Sequence, residues 1–155
     1  MIQIQVEYPK ARRNPEIRLL MAAISKAAEV VLSNVPDLKQ ANLTVVVTGD
    51  KEIQDLNHRF MELDEPTDVL SFPAREKDPD TGQLYLGDII ISYPRAEAQA
   101  AVGKHLVLAE IQLLTVHGLL HLLGYDHLDE AQKKDMWAIQ SSVLNQLNNP
   151  VVPPA

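Results

Sequence analysis

Apolar and polar positions alternate at the start of the chain, Ile2-Gln-Ile4-Gln-Val6-Glu. That period of two predicts a half-buried strand over residues 2–8, with Ile2, Ile4 and Val6 on one face. The period then lengthens to that of a helix. Ile17, Leu20, Met21, Ile24, Ala28 and Val31 fall on one face up to about Ser33. Asn14 is the expected cap, Pro15 the first-turn residue, and Glu16 suits the positive end of the dipole. Asn34-Val-Pro36 ends the helix. Leu43-Thr-Val-Val-Val47 is a β-branched second strand. It leads through Gly49 into a helix expected to be capped by Asp50, with Ile53, Leu56 and Phe60 as its buried stripe and His58 and Arg59 off it.

Residues 61–68 form an acidic loop, read as a solvated turn. Val69-Leu-Ser71-Phe72 is a third strand, stopped by Pro73. A polar stretch with the turn cluster Asp78-Pro-Asp-Thr-Gly82 separates it from a fourth strand, Tyr85 to Ser92, and the two predict an antiparallel hairpin. Gly87 in mid-strand marks a bulge or a close backbone approach. Pro94 opens a short helix and Gly103 closes it. From about His105 to Leu123 the chain is helical and apolar nearly all round, which predicts a central, buried helix. A last helix begins near Asp129, where Asp129-x-x-Gln132 has the form of a capping box; it should bury Met136, Ile139, Val143 and Leu147. Four strands and about five helices make an α/β (α+β) chain, a single compact domain over residues 1–149 with a loose tail at 150–155.

Composition narrows the class. The 155 residues, 46% apolar and 23% charged, are enough for one ordinary core. The longest apolar region, around 106–124, is interrupted by Glu110, Gln112, His117 and His121, so no membrane span is expected. There is no cysteine, which removes disulfides, thiolate metal sites and thiol nucleophiles and agrees with a cytoplasmic location. A net charge of −7 argues against promiscuous nucleic-acid binding. It leaves room for a local basic groove drawn from Arg12, Arg13, Arg59, Arg75, Lys77, Arg95 and Lys104.

The chemistry concentrates where the central helix ends. Three of the five histidines stand in Leu114-Thr-Val-His117-Gly-Leu-Leu-His121-Leu-Leu-Gly124-Tyr-Asp126-His127. His117 and His121 are one turn apart and project from one face. On a continued helix His127 would lie about 9 Å further along the axis, too far to share a metal with bonds of roughly 2 Å. Gly124 is placed to break the helix in the left-handed conformation and let the chain fold back. Three imidazoles with a fourth position open make a catalytic zinc site, one ion per chain, although an all-histidine set would also accept nickel or another divalent metal.

The spacing matches the metzincin protease frame, His-Glu-x-x-His-x-x-Gly-x-x-His, with Gly124 on the frame's glycine. The glutamate that serves those proteases as general base is here Gly118. A metal-dependent peptidase is therefore one alternative. A non-catalytic protein with structural zinc is another; its fourth ligand would have to be Asp126, Asp129, His58 or His105.

His117-Gly-Leu-Leu-His121-Leu-Leu-Gly-Tyr-Asp-His127 resembles the signature of the YbeY family, bacterial endoribonucleases of ribosomal RNA maturation. Leu56-Asn57 through Asp64-x-Pro66-Thr67-Asp68-Val69-Leu70-Ser71-Phe72 and Leu86-Gly87-Asp88-Ile89 agree with it, so the resemblance spans roughly residues 53–130. It implies a small mixed sheet, zinc on His117, His121 and His127, and single-strand-specific RNA cleavage, including maturation of the 16S rRNA 3′ end. It also implies partnership with the small ribosomal subunit, its proteins or an assembly GTPase, in subunit biogenesis and quality control. The family typically has an arginine after the aromatic of the Leu-Asn-x-x-aromatic segment, where this chain has Met61. Arg59 and Ser71 are the expected substrate contacts. Asp126 and Asp88 are candidates for orienting the imidazoles through hydrogen bonds. A zinc-bound water with a pKa near about 7 would attack the phosphodiester or deprotonate the ribose 2′-hydroxyl.

Overall fold

A computed structural model describes residues 1–126 and 128–151. Four strands build one mixed sheet: β1 (Ile2–Val6), β2 (Asn42–Thr48), β3 (Val69–Lys77) and β4 (Leu84–Ser92), in the spatial order β1-β2-β4-β3. β1 runs parallel to β2 and β2 parallel to β4, while β3 forms the expected antiparallel hairpin with β4. The helices are α1 (Glu16–Ser33), α2 (Asp50–Met61), α3 (Tyr93–Gly103), α4 (Val107–Leu122) and α5 (Glu130–Gln146). Two short 3-10 turns, Pro9–Arg12 and Pro36–Leu38, complete the described elements.

Side-chain alternation along the strands sorts the sheet into two faces. Leu43, Val45, Val47, Ile89 and Ile91 join Leu20 and Ile24 of α1 and Ile111, Leu119 and Leu120 of α4 in the main core. Ile90, Leu70 and Phe72 point the other way and pack with Ile53 and Leu56 of α2. α4 is buried on nearly all sides, as its unbroken apolar pattern requires. No single helix among the described residues is long and apolar enough to cross a membrane.

Several local expectations change. Asn14 does not cap α1; Pro15 occupies the cap position, and the first turn is tied by the backbone bond from Ile17 N–H to the Arg13 carbonyl, 2.8 Å. Asp50 is the first residue of α2 and not its cap, because its carboxylate is engaged elsewhere: it accepts from Ser92 Oγ (2.7 Å) and Arg95 Nε (3.3 Å), tying α2 to α3. Lys104, not Gly103, takes the left-handed conformation that ends α3. Met21 is exposed, and Phe60 stays 57% exposed, its ring edge to face with Phe72 at 5.4 Å between centroids. Pro73 does not stop β3. The strand lies at the sheet edge, and a register shift follows between Pro73 and Glu76, the setting in which a residue without an N–H is tolerated. Asp129 caps α5 as expected, accepting from Gln132 N–H at 2.8 Å. Val151 is buried beside Leu113 and Leu144; the rest of the tail, 152–155, lies outside the described residues.

Gly87 shows why a glycine stands in mid-strand. Its φ is +136°, and a Cβ there would lie 2.2 Å from the Phe72 carbonyl oxygen. The close approach of β3 to β4 depends on the missing side chain.

Candidate metal centre and its cleft

A cleft of about 510 Å³ opens between β3 with its preceding loop and the C-terminal half of α4. Thr67, Asp68, Ser71 and Pro73 form one wall; His117, His121 and Gly124 through Asp126 form the other. α4 can present its histidines here because Gly118 lets it lie directly on the sheet. A Cβ at Gly118 would come within 2.7 Å of Ile89 Cγ2 and 3.2 Å of Val69 Cγ2. Ser71 Oγ donates to the Gly118 carbonyl at 2.9 Å and fastens the helix to β3. The position where metzincins carry their base thus has no space for a side chain.

His117 and His121 turn their Nε2 atoms toward each other, 3.1 Å apart, with the rings edge to face. The Oε1 of Gln140 lies 3.0 Å from His117 Nδ1, and an amide oxygen can only accept, so Nδ1 carries the proton. The lone pair of the neutral ring is therefore on Nε2, on the side of the partner histidine. Two nitrogens bound to one tetrahedral ion at about 2.05 Å stand about 3.3 Å apart. The observed pair fits a shared divalent metal. Among the described residues no three such ligands form a group; the expected third ligand, His127, lies outside the described residues.

Gly124 has φ +101°. Its N–H donates to the His121 carbonyl (3.0 Å) and Tyr125 N–H to the Leu120 carbonyl (3.0 Å), the crossed bonds that close a helix through a left-handed residue. The chain leaves α4 there, and Asp126 borders the cleft two residues on.

The other expected residues separate. Ser71 lines the cleft, with its hydroxyl donated to Gly118. Asp88 is not brought to the imidazoles: it sits on the α2 face of the sheet with Ile90, where Tyr85 donates to it and Thr44 Oγ1 lies 2.7 Å from the same phenol. Arg59 is exposed on α2, its guanidinium 5.3 Å from the Phe60 ring centre, and neither it nor Met61 lines the cleft. Of the residues considered as a fourth ligand, His105 is paired with Glu110 at 2.6 Å, Asp129 caps α5 and His58 is exposed on α2; Asp126 alone borders the cleft.

The sequence reading gave no role to two residues, Asp68 in the cleft and Gln140 behind the His117 ring. Asp68 belongs to the loop expected to be solvated. Its Oδ1 accepts from Val69 N–H (2.8 Å) and its Oδ2 from Gln99 Nε2 (3.2 Å). The loop itself is pinned by buried Asn57, whose amide donates to the Glu65 carbonyl at 2.9 Å. Gln140 is 2% exposed on α5, four residues after Met136 and three before Val143. A polar residue on an apolar face was the available signal.

The family model described as endoribonuclease YbeY matches residues 5–148. A protein of that name from Synechocystis is 46% identical over 75% of this chain and 69% of its own length. One from Acholeplasma laidlawii is 42% identical over 77% and 86%. One from Dehalococcoides mccartyi is 37% identical over 86% and 92%. The solution structure of TM1509 from Thermotoga maritima is similar over 100% of this chain and 99% of that one, with a TM-score of 0.62 and 28% identity.

Proposed function

The chain belongs to the endoribonuclease YbeY family, and from that premise we propose that it is a zinc-dependent, single-strand-specific endoribonuclease acting in ribosomal RNA processing, at the 16S rRNA 3′ end. The observation that carries the reading is the facing Nε2 pair of His117 and His121 on the wall of an open cleft. His117 and His121 would hold the metal with His127 as third ligand. When bound, the metal supplies Lewis acidity to a phosphodiester oxygen and activates water near neutral pH.

The protein groups around it bind and orient. Gln140 keeps the proton of His117 on Nδ1 and so keeps Nε2 available. Ser71 ties α4 to β3 and so links the two walls of the cleft. Asp68, held by Val69 N–H and Gln99, presents a carboxylate fixed in orientation where a ribose hydroxyl or water could donate to it. The proposed setting is cytoplasmic, with the small ribosomal subunit, its proteins or an assembly GTPase as partners.

A peptidase has less support, since Gly118 supplies no base and its space is taken by Ile89 and Val69. The test pairs metal-loaded protein with ribosomal RNA and with unfolded casein, each with and without chelator. Expected are about one zinc per chain by elemental analysis, chelator-sensitive RNA cleavage, intact casein, and no cleavage by His117→Ala or His121→Ala. Absence of metal, or cleavage that survives both substitutions, would remove the reading. A cyclic phosphate on the RNA product would mark attack by the 2′-hydroxyl.

A further inference from the structure

Among the described residues the lining of the histidine cleft includes the carboxylates of Asp68 and Asp126 but no lysine or arginine. A phosphodiester strand approaching a chain of net charge −7 needs a cation at the entrance. Arg95 is paired with Asp50, and Arg59 lies over Phe60 on α2. Arg75 is differently placed.

Four described non-glycine residues have positive φ. Glu62, Lys104 and Asn148 follow the ends of α2, α3 and α5; Arg75, at φ +50°, alone lies within a strand. It falls in the irregular stretch between Pro73 and Glu76, out of register with β4. A left-handed residue there costs on the order of 1 kcal/mol and persists because the side chain is anchored: Nη2 donates to the Leu122 carbonyl at 3.2 Å. That carbonyl belongs to the negative end of α4, which favours a cation. The same nitrogen lies 3.6 Å from where a Cβ on Gly124 would stand. Gly124 and Pro73 both border the cleft, so the guanidinium sits at its rim beside the helix end that carries His121. One N–H is used on Leu122, and the rest of the planar fork remains to grip phosphate oxygens.

We infer that Arg75 binds the RNA backbone at the mouth of the cleft, holding a phosphate next to the one that is cut. The inference rests on the endoribonuclease reading. It makes Arg75 a substrate-binding residue contributed by the irregular part of β3.

The test uses the full-length, zinc-loaded protein, a non-cleavable single-stranded 2′-O-methyl RNA for binding by anisotropy across a salt series, and the matching RNA for turnover. Arg75→Gln should weaken binding and raise KM roughly 10- to 100-fold, the range for a hydrogen bond to a charged group. kcat and zinc content should change little, and the slope of log affinity against log salt should fall by about 0.7, one counterion on a single strand. Arg75→Lys should recover the slope and part of the affinity. An Arg75→Gln protein with wild-type KM and salt slope would overturn the inference. So would Gln and Lys variants equally impaired with equally lowered melting points, which would make Arg75 only a strut on α4. Wild-type protein that binds but does not cleave RNA would instead count against the endoribonuclease reading, leaving the binding comparison to decide on Arg75.

Discussion

The Nε2 atoms of His117 and His121 face each other at 3.1 Å, and the Oε1 of buried Gln140 accepts a hydrogen bond from Nδ1 on the far side of the His117 ring. An imidazole so held cannot flip or exchange tautomers without breaking a buried hydrogen bond. Gln140→Ala should therefore weaken zinc binding about 10- to 100-fold, read by competition with a chromophoric chelator. Gln140→Glu, which keeps an acceptor, should retain most of the affinity. Equal zinc affinity in wild type and Gln140→Ala would show that the contact does not tune the metal.

Gly118 should resist even the smallest enlargement. Alanine gains about 1 kcal/mol of helix propensity, but its Cβ would press on Ile89 at 2.7 Å in a full core, an overpacking cost of about 1–3 kcal/mol. A net loss of stability in urea denaturation is expected. Gly118→Glu, the change that would restore the protease-like base, should give insoluble or unfolded protein and no casein hydrolysis.

Gly124 poses a different constraint, since among the described residues a Cβ there meets nothing closer than Arg75 at 3.6 Å. The cost of Gly124→Ala is that of a left-handed alanine, about 1–2 kcal/mol, or a melting point lower by a few degrees. If the turn at Gly124 sets the course of the chain toward His127, zinc affinity should fall further than this stability loss implies. Calorimetric zinc titration beside a thermal melt separates the two effects.

Tyr85 provides a pH signature on the opposite face of the sheet. Burial raises its phenol pKa above the usual value near 10, and the hydrogen bond to Asp88 adds to this, against a smaller lowering by the bond with Thr44. A raised pKa means the native state keeps a proton that the unfolded chain loses. The stabilisation is complete below about pH 10 and is lost as pH rises through the folded value. Tyr85→Phe should cost about 1 kcal/mol at neutral pH and flatten the decline above about pH 10, measured by urea denaturation on both sides of that value. An unchanged alkaline decline would show that Tyr85 does not contribute to it.

Element type and order were legible because they follow from local periodicity. The alternation over Ile2–Val6, the all-round apolar pattern of α4 and the Asp129 cap each need only neighbouring residues to be read. The histidine pair was legible for the same reason: an i, i+4 spacing places both rings on one face wherever the helix lies. Gly124 marked the end of that helix by its own conformational freedom.

Only the tertiary structure decided what faces the histidines. The strand order β1-β2-β4-β3 sets β3 against α4, and this brings Asp68 and Ser71 to the cleft. The same sheet turns Asp88 to its far side, although Asp88 is one residue from Ile89, which packs under α4. Gln140 comes from α5, twenty-three residues beyond His117, and Arg75 from an irregular stretch of β3 that Pro73 seemed to forbid. Such pairings depend on which layers bury the most apolar surface together, a property of the whole chain. The sequence determined the histidine helix and where it ends; packing chose the carboxylate, the amide and the arginine that lie around it.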